Sequence, residues 1–212
     1  TQAFYEDRAT RELMEHGPFE AAQTVFEFGC GTGRFAEALL TERLSSSAAY
    51  RGIDVSPTMV QLARKRLSRF ATRARIDLSE GGAPVSEPSE HYDRWLSTFV
   101  FDLLSEADID AVLTEAHRML VPGGLLCVAG LAVGEYWHTK LMAGAWSALH
   151  TLSPALVGGC RPIELSPRLA GDRWSIVFRR SLAPFFVPSE VVIAMRGLQP
   201  RDSAVGSHMQ GR

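Results

Sequence analysis

The chain has no apolar run approaching the ~20 residues that cross a bilayer as a helix, so no membrane association is expected. It opens on polar residues of mixed charge, and no secretory leader is expected. Cysteine is scarce. Cys30, Cys127 and Cys160 are too few and too scattered for a disulfide framework or a paired-cysteine metal site, so no metal centre is expected. A reducing cytoplasm is the plain inference. An excess of charge of one sign is also missing. Lys and Arg number 22 against 24 Asp and Glu, which argues against a broadly basic nucleic-acid surface. Internal repeats and low-complexity tracts are absent. What is present is ordinary: 212 residues, 46% hydrophobic and 22% charged, read as one domain over 1–202 with a full core. Residues 203–212 are read as a tail, because Gly206-Ser207-His208-Met209 looks vector-derived.

Strand-like and helix-like segments alternate along most of the chain. Residues 2–16 read as a lead-in helix ending at Gly17-Pro18. Strands are expected at 25–28, 48–53, 74–79, 92–99 and 125–131. Helices are expected at 33–44, from Ser56-Pro57 to about Phe70, and at 105–120. Pro122-Gly123-Gly124 reads as a turn. This alternation predicts a mainly parallel α/β sheet. After Gly134 the rhythm changes. Residues 135–152 read as an aromatic helix, a Pro/Gly-rich connection follows, and a short helix is expected at 163–170. Two last strands, 174–180 and 190–196, are joined by too short a loop to be parallel, so they form an antiparallel hairpin.

The richest stretch is Thr24 to Arg34. An apolar strand runs into glycines at 29, 31 and 33, and a helix follows at once. Such a corner lets a ligand touch bare backbone, beside the unpaired N–H groups of a helix start. An acid, Asp54, ends the second strand 23 residues after Gly31. A carboxylate there can accept from ribose hydroxyls, in a dinucleotide or in any other adenosine ligand. Strand, glycine loop, helix, strand and acid together describe a nucleotide site on a Rossmann-like sheet.

The wider pattern resembles the class I S-adenosylmethionine-dependent methyltransferases. Glu27-Phe28-Gly29-Cys30-Gly31-Thr32-Gly33 is similar to that family's E/D-x-G-x-G-x-G motif. Tyr92-Asp93 resembles its F/Y-D signature, and Arg118-Met119-Leu120 with Pro122-Gly123-Gly124 resembles its post-helix turn. The resemblance covers about residues 2–196. It implies a three-layer α/β/α sandwich with seven strands in the order 3-2-1-4-5-7-6, strand 7 antiparallel, and S-adenosyl-L-methionine as cofactor. By position, Gly29, Cys30 and Gly31 would approach the methionine portion. Glu27 would hold the loop, help the ammonium, or serve structure alone. Asp54 would take the ribose hydroxyls. Val55 and Met59 would pack on adenine, although Met59 also reads as helix core. Glu80, with Gly81 beside it, is preferred over Asp77 for the adenine amino group. Ser97 and Thr98 would offer backbone carbonyls to the ammonium, and Tyr5 could close over the site.

The resemblance implies transfer of a methyl group by in-line displacement, which asks the protein mainly for proximity and alignment. A general base is needed only for an acceptor that must lose a proton. His138 and His150 are the weak candidates. The chain lacks the Asn/Asp-Pro-Pro-Tyr/Phe motif of enzymes that methylate amino groups of bases or glutamine; the fourth strand instead leads into Leu96-Ser97-Thr98-Phe99-Val100-Phe101-Asp102. A small-molecule acceptor is therefore expected and a nucleic acid is not, with residues 135–170 as a lid on the acceptor side. Two rival classes are a non-catalytic S-adenosylmethionine sensor or scaffold and a short-chain dehydrogenase. The second rests on Tyr136 and Lys140 in a Tyr-x-x-x-Lys pattern, without that family's glycine motif.

Overall fold

The computed structural model describes residues 3–133, 160–183 and 187–197, with side chains from Glu6 onward. Helix α1 (Ala3–His16) leads into strand β1 (Thr24–Phe28), helix α2 (Arg34–Glu42), strand β2 (Ala49–Asp54), helix α3 (Pro57–Arg66) and strand β3 (Ala74–Leu78). Strand β4 (Tyr92–Thr98), helix α4 (Glu106–Met119) and strand β5 (Leu120–Leu131) follow, then β6 (Trp174–Leu182) and β7 (Ser189–Arg196). The sheet order is β3-β2-β1-β4-β5-β7-β6. Strands β1 to β5 pair in parallel, and β7 runs antiparallel to both β5 and β6. This is the expected Rossmann-like sheet with its closing hairpin.

Local chemistry accounts for the ends of these elements. Ser56 caps α3, its hydroxyl accepting from Met59 N–H with Pro57 in the first turn. Ser105 caps α4 in the same way through Asp108 N–H. The core has two layers. Val25, Leu96, Cys127 and Ile193 face the α1, α2 and α3 side; Phe26, Trp95, Leu126 and Val192 face the α4 side. Successive residues of one strand thus serve opposite layers, as a sheet covered on both faces requires. Asp93 of the Tyr-Asp pair acts as a clamp. One carboxylate oxygen accepts from Gln23 N–H at 2.7 Å and Thr24 N–H at 3.2 Å, fixing where β1 begins.

Three local expectations are corrected. Pro122-Gly123-Gly124 lies inside β5 instead of before it: β4 residues Tyr92 and Arg94 face Leu120 and Leu125, so the Pro-Gly-Gly residues bulge out of the ladder. Gly123, at φ 78, supplies the left-handed residue this bulge needs. Helix α3 ends at Arg66, and a separate 3-10 turn covers Ser68–Phe70. The short helix near 163–170 is a 3-10 turn over Ser166–Leu169. Most of the aromatic lid segment, with Tyr136, Trp137, His138, Trp146 and His150, and the tail from 203 lie outside the described residues.

Candidate cofactor site

The C-terminal edge of the parallel strands is where an open α/β sheet binds ligands. At this edge β1 passes into the loop 29–33. Gly29 and Cys30 both donate their N–H to Ile53 O at 2.9 Å, which pins the loop onto the end of β2. Gly29 has φ 75, and a Cβ there would overlap Val100 Cγ2, so any side chain collides with the segment after β4. Gly31 has φ 51 but different surroundings: a Cβ there would meet nothing within 4 Å. The first glycine lets protein pack on protein. The second leaves bare backbone facing open space.

Asp54 closes the corner from the other side. Its Oδ2 accepts from Gly31 N–H at 2.8 Å and its Oδ1 from Ser56 N–H at 2.9 Å. Two backbone donors fix the carboxylate, and each oxygen keeps a lone pair for a further donor. Glu27 lies beneath the loop, 1% exposed, where the Tyr50 hydroxyl donates to its Oε2. Burial raises the Glu27 carboxyl to about 7; the Tyr50 bond lowers it and the Asp54 charge adds to the rise. Burial, then the charges of Glu27 and Asp54, push the Cys30 thiol far up, so it is a neutral group at physiological pH.

Gly29, Cys30, Gly31, Asp54 and Met59 line one side of a cavity of about 760 Å³, within the range of small-molecule and cofactor sites. The rest of the wall includes residues that the motifs did not flag. Helix α1 supplies Glu6, Asp7, Thr10 and Met14, and the corner after β4 supplies Phe99, Val100 and Leu103. Asp7 forms an ion pair with Arg34 at the start of α2, which ties α1 to the glycine corner. Phe99 is a non-glycine residue at φ 55, in the sparsely occupied left-handed region, and strain of this kind gathers at ligand sites. The sequence signal for this wall was present only as the lead-in helix and the Phe99–Asp102 run at the strand end. Of Tyr5, the side chain lies outside the described residues.

The remaining expected residues separate into two groups. Ser97 is fully buried and does not line the cavity. Its hydroxyl donates to Phe28 O at 3.0 Å and so braces the end of β1, while its neighbour Thr98 does line the cavity. Val55, Glu80 and Gly81 lie beyond the cavity lining, next to Asp54. Ser79 N–H bonds Asp54 O at 2.9 Å, and a Cβ on Gly81 would meet Val55 Cγ1 at 3.1 Å. Val55 is 61% exposed, an apolar side chain in the open beside Asp54. Asp77 is fully engaged elsewhere, paired with Arg51, Arg64 and Arg75. Burial alone would raise its carboxyl; Arg51 and Arg75 outweigh this and hold it below its usual range. Glu80 is exposed and Asp77 is neutralised, which separates the two acids as the sequence could not.

The cavity fits an adenosine-type cofactor on two grounds: the bare backbone at Gly31 and the doubly anchored Asp54. Comparison with known proteins agrees. The family model described as a methyltransferase domain matches residues 25–124. A demethylmenaquinone methyltransferase of Tropheryma whipplei (strain Twist) is 36% identical over 130 residues, 61% of this chain and 48% of the relative. A trans-aconitate 2-methyltransferase of Methylobacterium radiotolerans is 32% identical over 127 residues, 58% of this chain and 45% of the relative. The chain thus spans about half the length of these curated relatives. Among solved structures, geranyl diphosphate C-methyltransferase from Streptomyces coelicolor A3(2), in complex with S-adenosyl-L-homocysteine, superposes with a TM-score of 0.71 at 14% identity, over 90% of this chain and 79% of that one. The [4+2]-cyclase SpnF gives 0.70 at 16% identity, over 91% and 82%. At such identities these two show the shared fold alone. Motif order, sheet order and site geometry all agree with the methyltransferase domain that residues 25–124 match.

Proposed function

We propose that this chain transfers a methyl group from S-adenosylmethionine to a small-molecule acceptor with an apolar body. The observation that carries the proposal is a cavity lined by the glycine corner and Asp54 together with Met14, Phe35, Phe99, Val100 and Leu103, apolar side chains that suit a carbon skeleton. The bound cofactor supplies an activated sulfonium methyl. The protein's residues bind and align. Asp54 would hold the ribose hydroxyls, Gly29 to Gly31 would present backbone to the methionine portion, and Val55 with Gly81 would flank the adenine. Glu80 is the acid available for the adenine amino group. Glu27 supports the loop from below and sits close enough to feel the charge of Asp54. The curated relatives are named for small acceptors, demethylmenaquinone and trans-aconitate. Among the described residues no helix is long and apolar enough to cross a membrane.

A sensor or scaffold role uses the same cavity, and the cyclase SpnF shows that this fold is not confined to proteins named as methyltransferases. Binding alone therefore does not test the proposal. Calorimetry should show S-adenosylhomocysteine binding, and labelled methyl from S-adenosylmethionine should pass to a component of a small-molecule extract. Binding without transfer to any component would favour the non-catalytic reading.

A further inference from the structure

The charges around the cavity do not balance. Its lining holds the acids Glu6, Asp7, Glu42 and Asp54 against the bases Arg11 and Arg34. Asp7 and Arg34 cancel as an ion pair. Arg11 and Glu42 carry opposite charges away from the glycine corner. Arg11 lies more than a turn along α1 from Glu6, and Glu42 ends α2, about 12 Å along the helix axis from Arg34. Glu6 and Asp54 are left at the corner with no cation of their own. Asp54 has two backbone donors. The half-buried Glu6 carboxylate makes no ion pair or hydrogen bond among the described residues. Burial, then the charge of Asp7, raise the Glu6 carboxyl, and Arg34 lowers it. Its charged form is short of a partner.

Neighbours on two sides fix where the Glu6 charge stands. Asp7, next in the chain, is tied to Arg34 at the start of α2, straight after the glycine loop. On the other side lie the Asp102 carboxyl, in the 3-10 turn Phe101–Leu103 after β4, and the Cys160 thiol. Burial is the chief cause that raises both groups, and the Glu6 charge adds to both. The glycine loop and the segment after β4 touch where Gly29 faces Val100. Glu6 therefore stands over this seam, on the cavity side. A cation in the cavity would meet an acid that nothing else neutralises. The cofactor carries a sulfonium before transfer and a neutral thioether after it, because the bonding pair stays on sulfur as the methyl carbon bonds to the acceptor. We propose that Glu6 is the charge-selective group of this cavity, favouring the sulfonium donor over the thioether product. The inference rests on the methyl-transfer reading above. The contacts expected at Asp54 and at Gly29 to Gly31 go to ribose and the methionine portion, which are the same in both forms, so discrimination falls to charge. A carboxylate in a partly enclosed site is screened less by salt than one in open water, and a ligand charge feels it across several ångströms.

The test needs no acceptor. Sinefungin, with an amine-bearing carbon where the donor has its sulfonium, is the charged probe; S-adenosylhomocysteine is the probe without that charge. Calorimetry on wild type should show sinefungin bound about tenfold more tightly, a preference that shrinks as salt is added. Glu6→Gln, which keeps size and shape, should weaken sinefungin by about tenfold and leave S-adenosylhomocysteine within about twofold. Glu6→Asp, which keeps the charge, should retain more of the preference than Glu6→Gln. Equal or tighter binding of S-adenosylhomocysteine by wild type overturns the inference. So does a preference that survives in Glu6→Gln. An equal loss for both ligands in that variant also overturns it, because a merely space-filling side chain predicts that result. If neither ligand binds wild type, the methyl-transfer reading has failed and the inference falls with it, an outcome distinct from the others.

Discussion

Asp54 and Asp102 stand at the same edge of one sheet and are built in opposite ways. Asp54 is partly exposed and anchored by two backbone N–H groups, so its orientation is fixed before any ligand arrives. Asp102 is fully buried with neither oxygen conventionally bonded among the described residues. One half of the site is organised in advance for a ligand of fixed identity. The other half is an apolar wall with an unsatisfied acid behind it. A cofactor that never varies can be met by preformed backbone geometry. Burying an acid without backbone donors instead gives up stability.

The strongest way to break this comparison is Asp54→Ala. Loss of two charged hydrogen bonds to ribose should weaken S-adenosylhomocysteine by about 100-fold or more in calorimetry. Unchanged affinity would sink the assignment of Asp54, and an equal loss in Asp102→Asn would erase the contrast between the two halves. Next come the two glycines. Gly29→Ala forces a Cβ into the Val100 side chain at positive φ and should cost about 2 kcal/mol or more of folding stability. Gly31→Ala meets no neighbour, so it should cost about 1 kcal/mol from its φ alone and act mainly on cofactor affinity. Thermal unfolding and calorimetry on both variants would expose a reversal.

A smaller effect is carried by pH. Glu27 and Asp102 have folded-state values near 7, above their ordinary carboxylate values. Between about 4.5 and 7 the folded protein therefore holds protons that the unfolded chain has released. Stability should fall as pH rises through this window, by up to about 1.4 kcal/mol per pH unit for each group, and level off above 7. Asp77 and Glu115, whose folded values are lowered, act oppositely at the acid end and lose their contribution as pH falls through those values. Urea unfolding at several pH values should show the slope, and Asp102→Asn should flatten it. The smallest effect separates the two acids near the adenine. Glu80→Gln should reduce S-adenosylhomocysteine affinity several-fold, while Asp77→Asn should leave affinity near wild type and cost stability through Arg51, Arg64 and Arg75. The reverse pattern would move the adenine contact to Asp77.

The alternation of strands and helices, the glycine corner and the acid at the end of β2 were legible because each is a local pattern with a local cause. The hairpin was legible from loop length alone. Register, not composition, decides which side chain at a strand end faces the cavity; Thr98 lines it, and the Ser97 hydroxyl turns to Phe28. Pro122-Gly123-Gly124 read as a turn because nothing local distinguishes a turn from a bulge whose flanks both pair with β4. Glu80 and Asp77 could not be ranked firmly because the three arginines around Asp77 come from β2, α3 and β3.

By itself, then, the sequence determined the fold class and the place of the glycine corner and Asp54. These depend on periodicity, turn chemistry and a glycine motif read within a few residues. Only the tertiary structure decided that α1 lines the cavity, that Asp77 is paired with three arginines, and that Asp102 is fully buried. Each of these depends on side chains distant in sequence meeting, or failing to meet, across packed layers, and an isolated aspartate in a sequence carries no sign of which will happen.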